Sequence, residues 1–84
     1  MLSAGKYVVI DEMHIVIFDP AQTHADVARA LGGKATSAGF IQVGAEERGR
    51  PVITCYGRSQ TLGIGSCPVF DQALAKHALG MAGI

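Results

Sequence analysis

Tyr7-Val8-Val9-Ile10 and His14-Ile15-Val16-Ile17-Phe18 are two β-branched and aromatic runs separated by Asp11-Glu12-Met13. This pattern predicts a β-hairpin. A strand with one face in water alternates apolar and polar residues, because successive side chains point to opposite sides of the sheet. Neither run alternates. Tyr7 and Val9 point one way and Val8 and Ile10 the other; Ile15 and Ile17 likewise oppose Val16 and Phe18. Both faces of the hairpin therefore need cover.

The chain has 84 residues, which fits a single domain over 1–84. A domain of this size buries only about 60% of its unfolded surface. Yet 49% of the residues are hydrophobic and 17% charged, against a usual charged share of about 25%. So apolar a small chain points to association. Seven Lys and Arg balance seven Asp and Glu, so no net field exists to hold a polyanion, which reads against nucleic acid. No apolar run reaches the roughly 18 residues of a membrane span. Met1-Leu2-Ser3-Ala4-Gly5 lacks the basic and apolar regions of a secretion signal, so the expected compartment is the cytoplasm. Cys55 and Cys67 are too few for a disulfide framework and read as free thiols.

Beyond the hairpin, Asp19-Pro20 offers a helix start and Thr23 with Asp26 a second, overlapping one. The helix is expected over Ala21 to Leu31, ended by Gly32-Gly33, with His24, Val27, Ala28 and Leu31 on one face. Asp26 and Arg29, three apart on the other side, are placed to pair. A third strand is expected over Ser37 to Gly44 and a fourth over Val52 to Tyr56, joined by the polar loop Ala45-Glu46-Glu47-Arg48-Gly49-Arg50. Ser59 to Leu62 has further strand character. A second helix is expected from Val69 to Leu79, with Phe70, Ala73, Leu74 and His77 as its apolar stripe. The order ββαββ(β)α predicts an α+β domain: an antiparallel sheet of four or five strands with both helices on one face. The halves also resemble a loose ββα duplication, mainly through their Ala-rich helices.

No catalytic motif approaches the strength of this pattern, so the chain reads as a binding domain before an enzyme. The best candidate ligand site is the glycine-rich approach to the second helix. There Gly63, Gly65 and Ser66 could converge backbone N–H groups where the helix dipole favours an anion, and Arg58 or Lys34 could add charge. Cys67 would have its thiolate favoured by the same dipole, but a nucleophile also needs a base within reach. His14, His24 and His77 sit in no recognisable motif, and His24 and His77 read as packing residues on apolar helix faces. No CxxC or HxxxH pair supports a metal site, and no cofactor is implied. The carboxylate pairs Asp11-Glu12 and Glu46-Glu47 read as solvated turn charges.

The stretch Tyr56-Gly57-Arg58-Ser59-Gln60-Thr61-Leu62-Gly63-Ile64-Gly65-Ser66-Cys67-Pro68, with His24-Ala25-Asp26-Val27 and Ser37-Ala38-Gly39-Phe40, resembles segments of small uncharacterised bacterial proteins of integron gene cassettes and prophages. It covers about a third of the chain. Arg58 stands where that pattern has an acidic residue, and Cys67 where it has an arginine. The resemblance implies a mobile-element origin and no particular activity.

Two functions follow as expectations. The first is a homo-oligomer, or a module for another protein, that buries an apolar sheet face. That face is centred on Val8, Ile10, Ile15 or Ile17, or on their opposite-face neighbours, since the sequence does not fix which face the helices cover. The alternative is binding of a small anionic ligand at Arg58, Gly63, Gly65, Ser66 and Cys67.

Overall fold

The structure, a computed structural model, describes residues 3–47 and 50–79. Four strands form one antiparallel sheet: β1 (Ser3–Ile10), β2 (His14–Phe18), β3 (Ala35–Glu47) and β4 (Arg50–Tyr56), in the order β2-β1-β3-β4. The helix α1 (His24–Leu31) joins β2 to β3. After β4 comes a small antiparallel hairpin, β5 (Arg58–Ser59) and β6 (Ile64–Gly65), and then α2 (Pro68–Ala78). The α+β class, the four antiparallel strands and the two helices are as the sequence predicts. No helix among the described residues is long and apolar enough to cross a membrane.

The opening hairpin closes through a turn in which the Met13 N–H donates to the Ile10 carbonyl at 3.1 Å. Asp11 (φ 53°) and Glu12 (φ 59°) are both left-handed, the signature of a type I′ turn, whose twist matches that of the strands. Tyr7 then pairs with Ile17, Val8 with Val16 and Val9 with Ile15. This register places Ile15 and Ile17 beside Tyr7 and Val9, on the face opposite Val8 and Ile10. The four residues expected to form one interface therefore belong to two faces.

The helices do not share a face either. Tyr7, Val9, Ile41, Ile53 and Cys55 pack with Ala75 and Leu74 of α2. Val8, Ile10 and Ala38 pack with Val27 and Ala28 of α1 and with Leu62 and Ile64 of the small hairpin. One helix on each side explains why β1, an interior strand, is apolar on both faces over Tyr7-Val8-Val9-Ile10. Val8 and Ile10 are buried inside the chain, Ile15 is half-buried and Ile17 is exposed at the β2 edge. The arrangement also argues against a ββα duplication. A two-fold that exchanges antiparallel β1 and β3 runs normal to the sheet and would put both helices on one face.

Each helix departs from its sequence pattern for a local reason. Asp19 builds its own turn, with its carboxylate accepting the Ala21 N–H at 2.8 Å and its carbonyl the Gln22 N–H at 3.0 Å. The helix therefore begins at the second start, where the Thr23 hydroxyl accepts the Asp26 N–H at 3.1 Å. Asp26 and Arg29 pair at 3.4 Å on the exposed side, and Gly32 (φ 73°) ends the helix.

In α2 the buried positions are Asp71 and Ala75. Phe70 (46% exposed), Ala73 and His77, expected inside, face out, and Val69 is 85% exposed. The helix is turned by one residue because the Asp71 carboxylate is drawn under it. The polar stretch after Gly44 is not wholly a loop: pairing continues through Glu46 with Pro51 and Glu47 with Arg50, past an irregularity at Gly44. Arg48 and Gly49 lie outside the described residues.

Candidate functional site

The structure displaces the ligand site expected at the start of α2. Cys67 is the residue before the helix, and its N–H donates to the Asp71 carboxylate at 2.8 Å. The same carboxylate accepts from the Ser37 hydroxyl at 2.8 Å and from the Tyr7 hydroxyl. The position where the dipole would hold an anion is filled by the chain's own buried Asp71. Gly63 (φ 69°) sits at the hairpin turn, its N–H bonded to the Ser59 carbonyl at 2.9 Å. Gly65 lies opposite Arg58 in the β5–β6 pair. The Ser66 N–H donates to the Gly57 carbonyl at 3.0 Å. The glycines thus solve turn and pairing geometry, and of the five expected ligand residues Arg58 alone lines the cleft on the α1 side of the sheet.

The polar cluster beneath α2 has shifted proton affinities but no opening to solvent. Burial, then the Asp71 carboxylate, pushes the Tyr7 phenol well above its ordinary value. Burial and the Asp71 charge push the Cys55 thiol up to about 11, which keeps it protonated and inert near neutral pH. Cys67 is exposed. Tyr7, Ser37, Cys55 and Asp71 are all nearly or fully buried, and the Tyr7 and Ser37 bonds to Asp71 hold α2 on the sheet. Among the described residues no three of His, Cys, Asp and Glu converge as metal ligands would.

An open cleft of about 470 Å³ lies on the α1 side of the sheet, lined by Lys6, Thr23, His24, Phe40, Gly57 and Arg58, with Gln60 and Thr61 at the hairpin. His24, buried at the first turn of α1, fixes one wall. Its Nε2–H donates to the Gly39 carbonyl at 2.8 Å. Its ring meets Phe18 and Phe40 edge-on, at centroid distances of 5.4 and 5.9 Å, a preferred aromatic geometry. His24 is thus the packing residue its position on the helix suggested.

Gly57 lets the chain leave β4 close against Phe40. It has φ 77°, and a Cβ there would stand 2.9 Å from the Phe40 ring. Lys6 donates to the Gln22 carbonyl at 2.9 Å, which holds its ammonium near the start of α1. Sequence reading missed the cleft because its lining comes from β1, α1, β3 and the small hairpin, segments without a common motif.

Beside the cleft no described element covers the sheet. On the α1 side, β3 presents Phe40, Gln42 and Gly44, and their pairing partners on β4 are Tyr56, Thr54 and Val52. Val52 is 40% and Tyr56 45% exposed, and Thr54 is exposed between them. Phe40 and Tyr56 stack at 5.8 Å with 27° between the rings. None of these six residues is charged. The β4 edge itself is partly closed: the Cys55 N–H, which points away from β3, donates to Gln72 of α2 at 2.9 Å. Pro51, four residues earlier in the same outward row, has no N–H to offer.

No family model, curated protein or solved structure matches this chain.

Proposed function

We propose that the protein is a self-associating domain that buries the bare half of its sheet, Phe40, Gln42, Gly44, Val52, Thr54 and Tyr56, against a second copy. The supporting observation is the exposed row Val52, Thr54, Tyr56 on the edge strand, apolar at both ends and uncharged throughout. A two-fold through Thr54 would lay Val52 of one copy over Tyr56 of the other, so the row is complementary to itself, as an isologous interface requires. Equal numbers of acidic and basic residues leave no net repulsion between copies. Gln72 and Pro51 block much of the β4 edge, which favours stacking of faces over strand-to-strand extension. The outward side of α2 is a poorer candidate, since exposed Lys76 and His77 interrupt Val69, Phe70 and Ala73.

Sedimentation over a concentration series tests this reading. The native chain is expected to show twice the monomer mass, and Val52→Lys or Tyr56→Lys to sediment as a folded monomer. A native chain that stays monomeric at high concentration would overturn the proposal.

A mobile-element origin, suggested by the resemblance around Tyr56 to Pro68, is part of the same proposal and adds no activity to it.

A further inference from the structure

We propose that the cleft between the start of α1 and the β5–β6 hairpin binds a small planar anion, a flat aromatic or heteroaromatic ring bearing a carboxylate or a phosphate. Lys6 and Arg58 come to this cleft from strands far apart in sequence, and no carboxylate lines it. Asp26 with Arg29 is the one ion pair among the residues whose side chains are described, so neither Lys6 nor Arg58 pairs with a carboxylate among these. Two cations in a concave site raise the local potential for an anion even in a chain without net charge.

The remaining lining suits a flat, partly apolar body. Phe40 is half-buried, held by the His24 edge on one side and stacked with Tyr56. Gly57 carries no side chain over the Phe40 ring. Aromatic rings accept such partners in stacked or edge-on geometry.

Thr23 and Thr61 supply hydroxyls. The Thr23 hydroxyl accepts the Asp26 N–H at 3.1 Å and keeps its proton to donate, while the Thr61 hydroxyl accepts the Ala25 N–H at 3.2 Å and shares a hydrogen bond with the Ser59 hydroxyl at 3.3 Å. The cleft, about 470 Å³, falls within the roughly 300–1,000 Å³ of small-ligand sites. A guanidinium can grip either anionic group through two parallel bonds, while Lys6 acts as a point charge. The inference does not rest on self-association, because Phe40 alone belongs to both surfaces.

The test is a titration of the isotopically labelled chain by two-dimensional NMR at fixed ionic strength. The probes are naphthoate and adenosine monophosphate, with naphthamide and adenosine as their uncharged counterparts. Saturable shifts centred on Thr23, Phe40, Gly57 and Thr61 are expected with at least one of the two anions. An anion that binds alone identifies the group the site selects. The exposed Arg58→Gln and the conservative Lys6→Gln, each checked for an unchanged spectrum before addition, are expected to weaken binding roughly tenfold. The proposal fails if neither anion gives saturable shifts or the uncharged counterparts bind as well as the anions. It fails equally if the shifts map outside the cleft or both variants bind like the native chain.

Discussion

The Tyr7 hydroxyl on β1 donates to the carboxylate of Asp71 on α2, 64 residues further along the chain, inside the core between helix and sheet. Ser37 from β3 and the Cys67 N–H complete the carboxylate's partners. Strands and helix are thus tied at one buried point, and this point decides which side of α2 faces in.

Removing one donor from a buried carboxylate leaves part of its hydrogen-bonding capacity unmet, at a cost of roughly 1–3 kcal/mol. Tyr7→Phe should therefore lower Tm by several degrees, at about 4–8 °C per kcal/mol for a domain of this size. Asp71→Ala should cost more, since it strands two hydroxyls and a backbone N–H and leaves a void. Calorimetry showing Tyr7→Phe as stable as the native chain would disprove the tie.

Alkaline pH should loosen the same cluster. Tyr7 and Cys55 both have folded-state pKa values above their unfolded ones of 10 and 9. Above those unfolded values the unfolded chain has released protons that the folded chain retains, so stability falls as pH rises. The decline begins near pH 9 with Cys55 and continues beyond pH 10 as Tyr7 joins it. For Cys55, held at about 11, the full loss is roughly 2–3 kcal/mol. Urea unfolding at pH 7, 9 and 10.5 measures it. Cys55→Ala should flatten the first part of the decline, and a native profile with no fall above pH 9 would contradict the assignment.

Glu12 sits at φ 59°, where an L side chain costs roughly 1–2 kcal/mol. Its N–H bond to the Thr36 hydroxyl at 3.0 Å uses backbone alone. Glu12→Gly should therefore raise stability by about 0.5–1 kcal/mol, the gain being reduced by the greater freedom of glycine in the unfolded chain. Asp11→Gly should not help, because the Asp11 carboxylate accepts the Lys34 N–H at 3.0 Å. Equal effects from the two substitutions would show that the turn is not under this strain.

The contrast between these residues shows where sequence reading reached and where it stopped. The opening hairpin was legible because β-branched runs and a short polar turn are local signals. Its apolarity on both faces called for cover on both sides, with a partner chain expected on the second; over β1 the chain's own α2 and α1 cover one side each. What covers them was not legible: α2 is oriented by Asp71, whose partners Tyr7 and Ser37 are distant in sequence, while periodicity ranks Phe70 as the inward residue. The Asp19 turn likewise outcompetes a plausible cap through a local hydrogen bond that composition does not weigh. Arg58 was found as a candidate ligand residue, but through the glycines after it, which serve the turn. Lys6, Thr23 and Phe40 became its neighbours only on folding.

The claim that two copies meet through the bare half of the sheet is tested most directly at Thr54, the proposed centre of the two-fold. In a Cys67→Ser background, with Cys55 shielded in the core, a Thr54→Cys variant should be captured as a covalent dimer by a bismaleimide spanning about 10 Å, the spacing of stacked sheets. A cysteine at exposed Gln60, outside the six residues, should be captured far less. Efficient capture at Thr54 alone is the predicted result; a Thr54→Cys protein that stays monomeric, or is captured no better than Gln60→Cys, would contradict it.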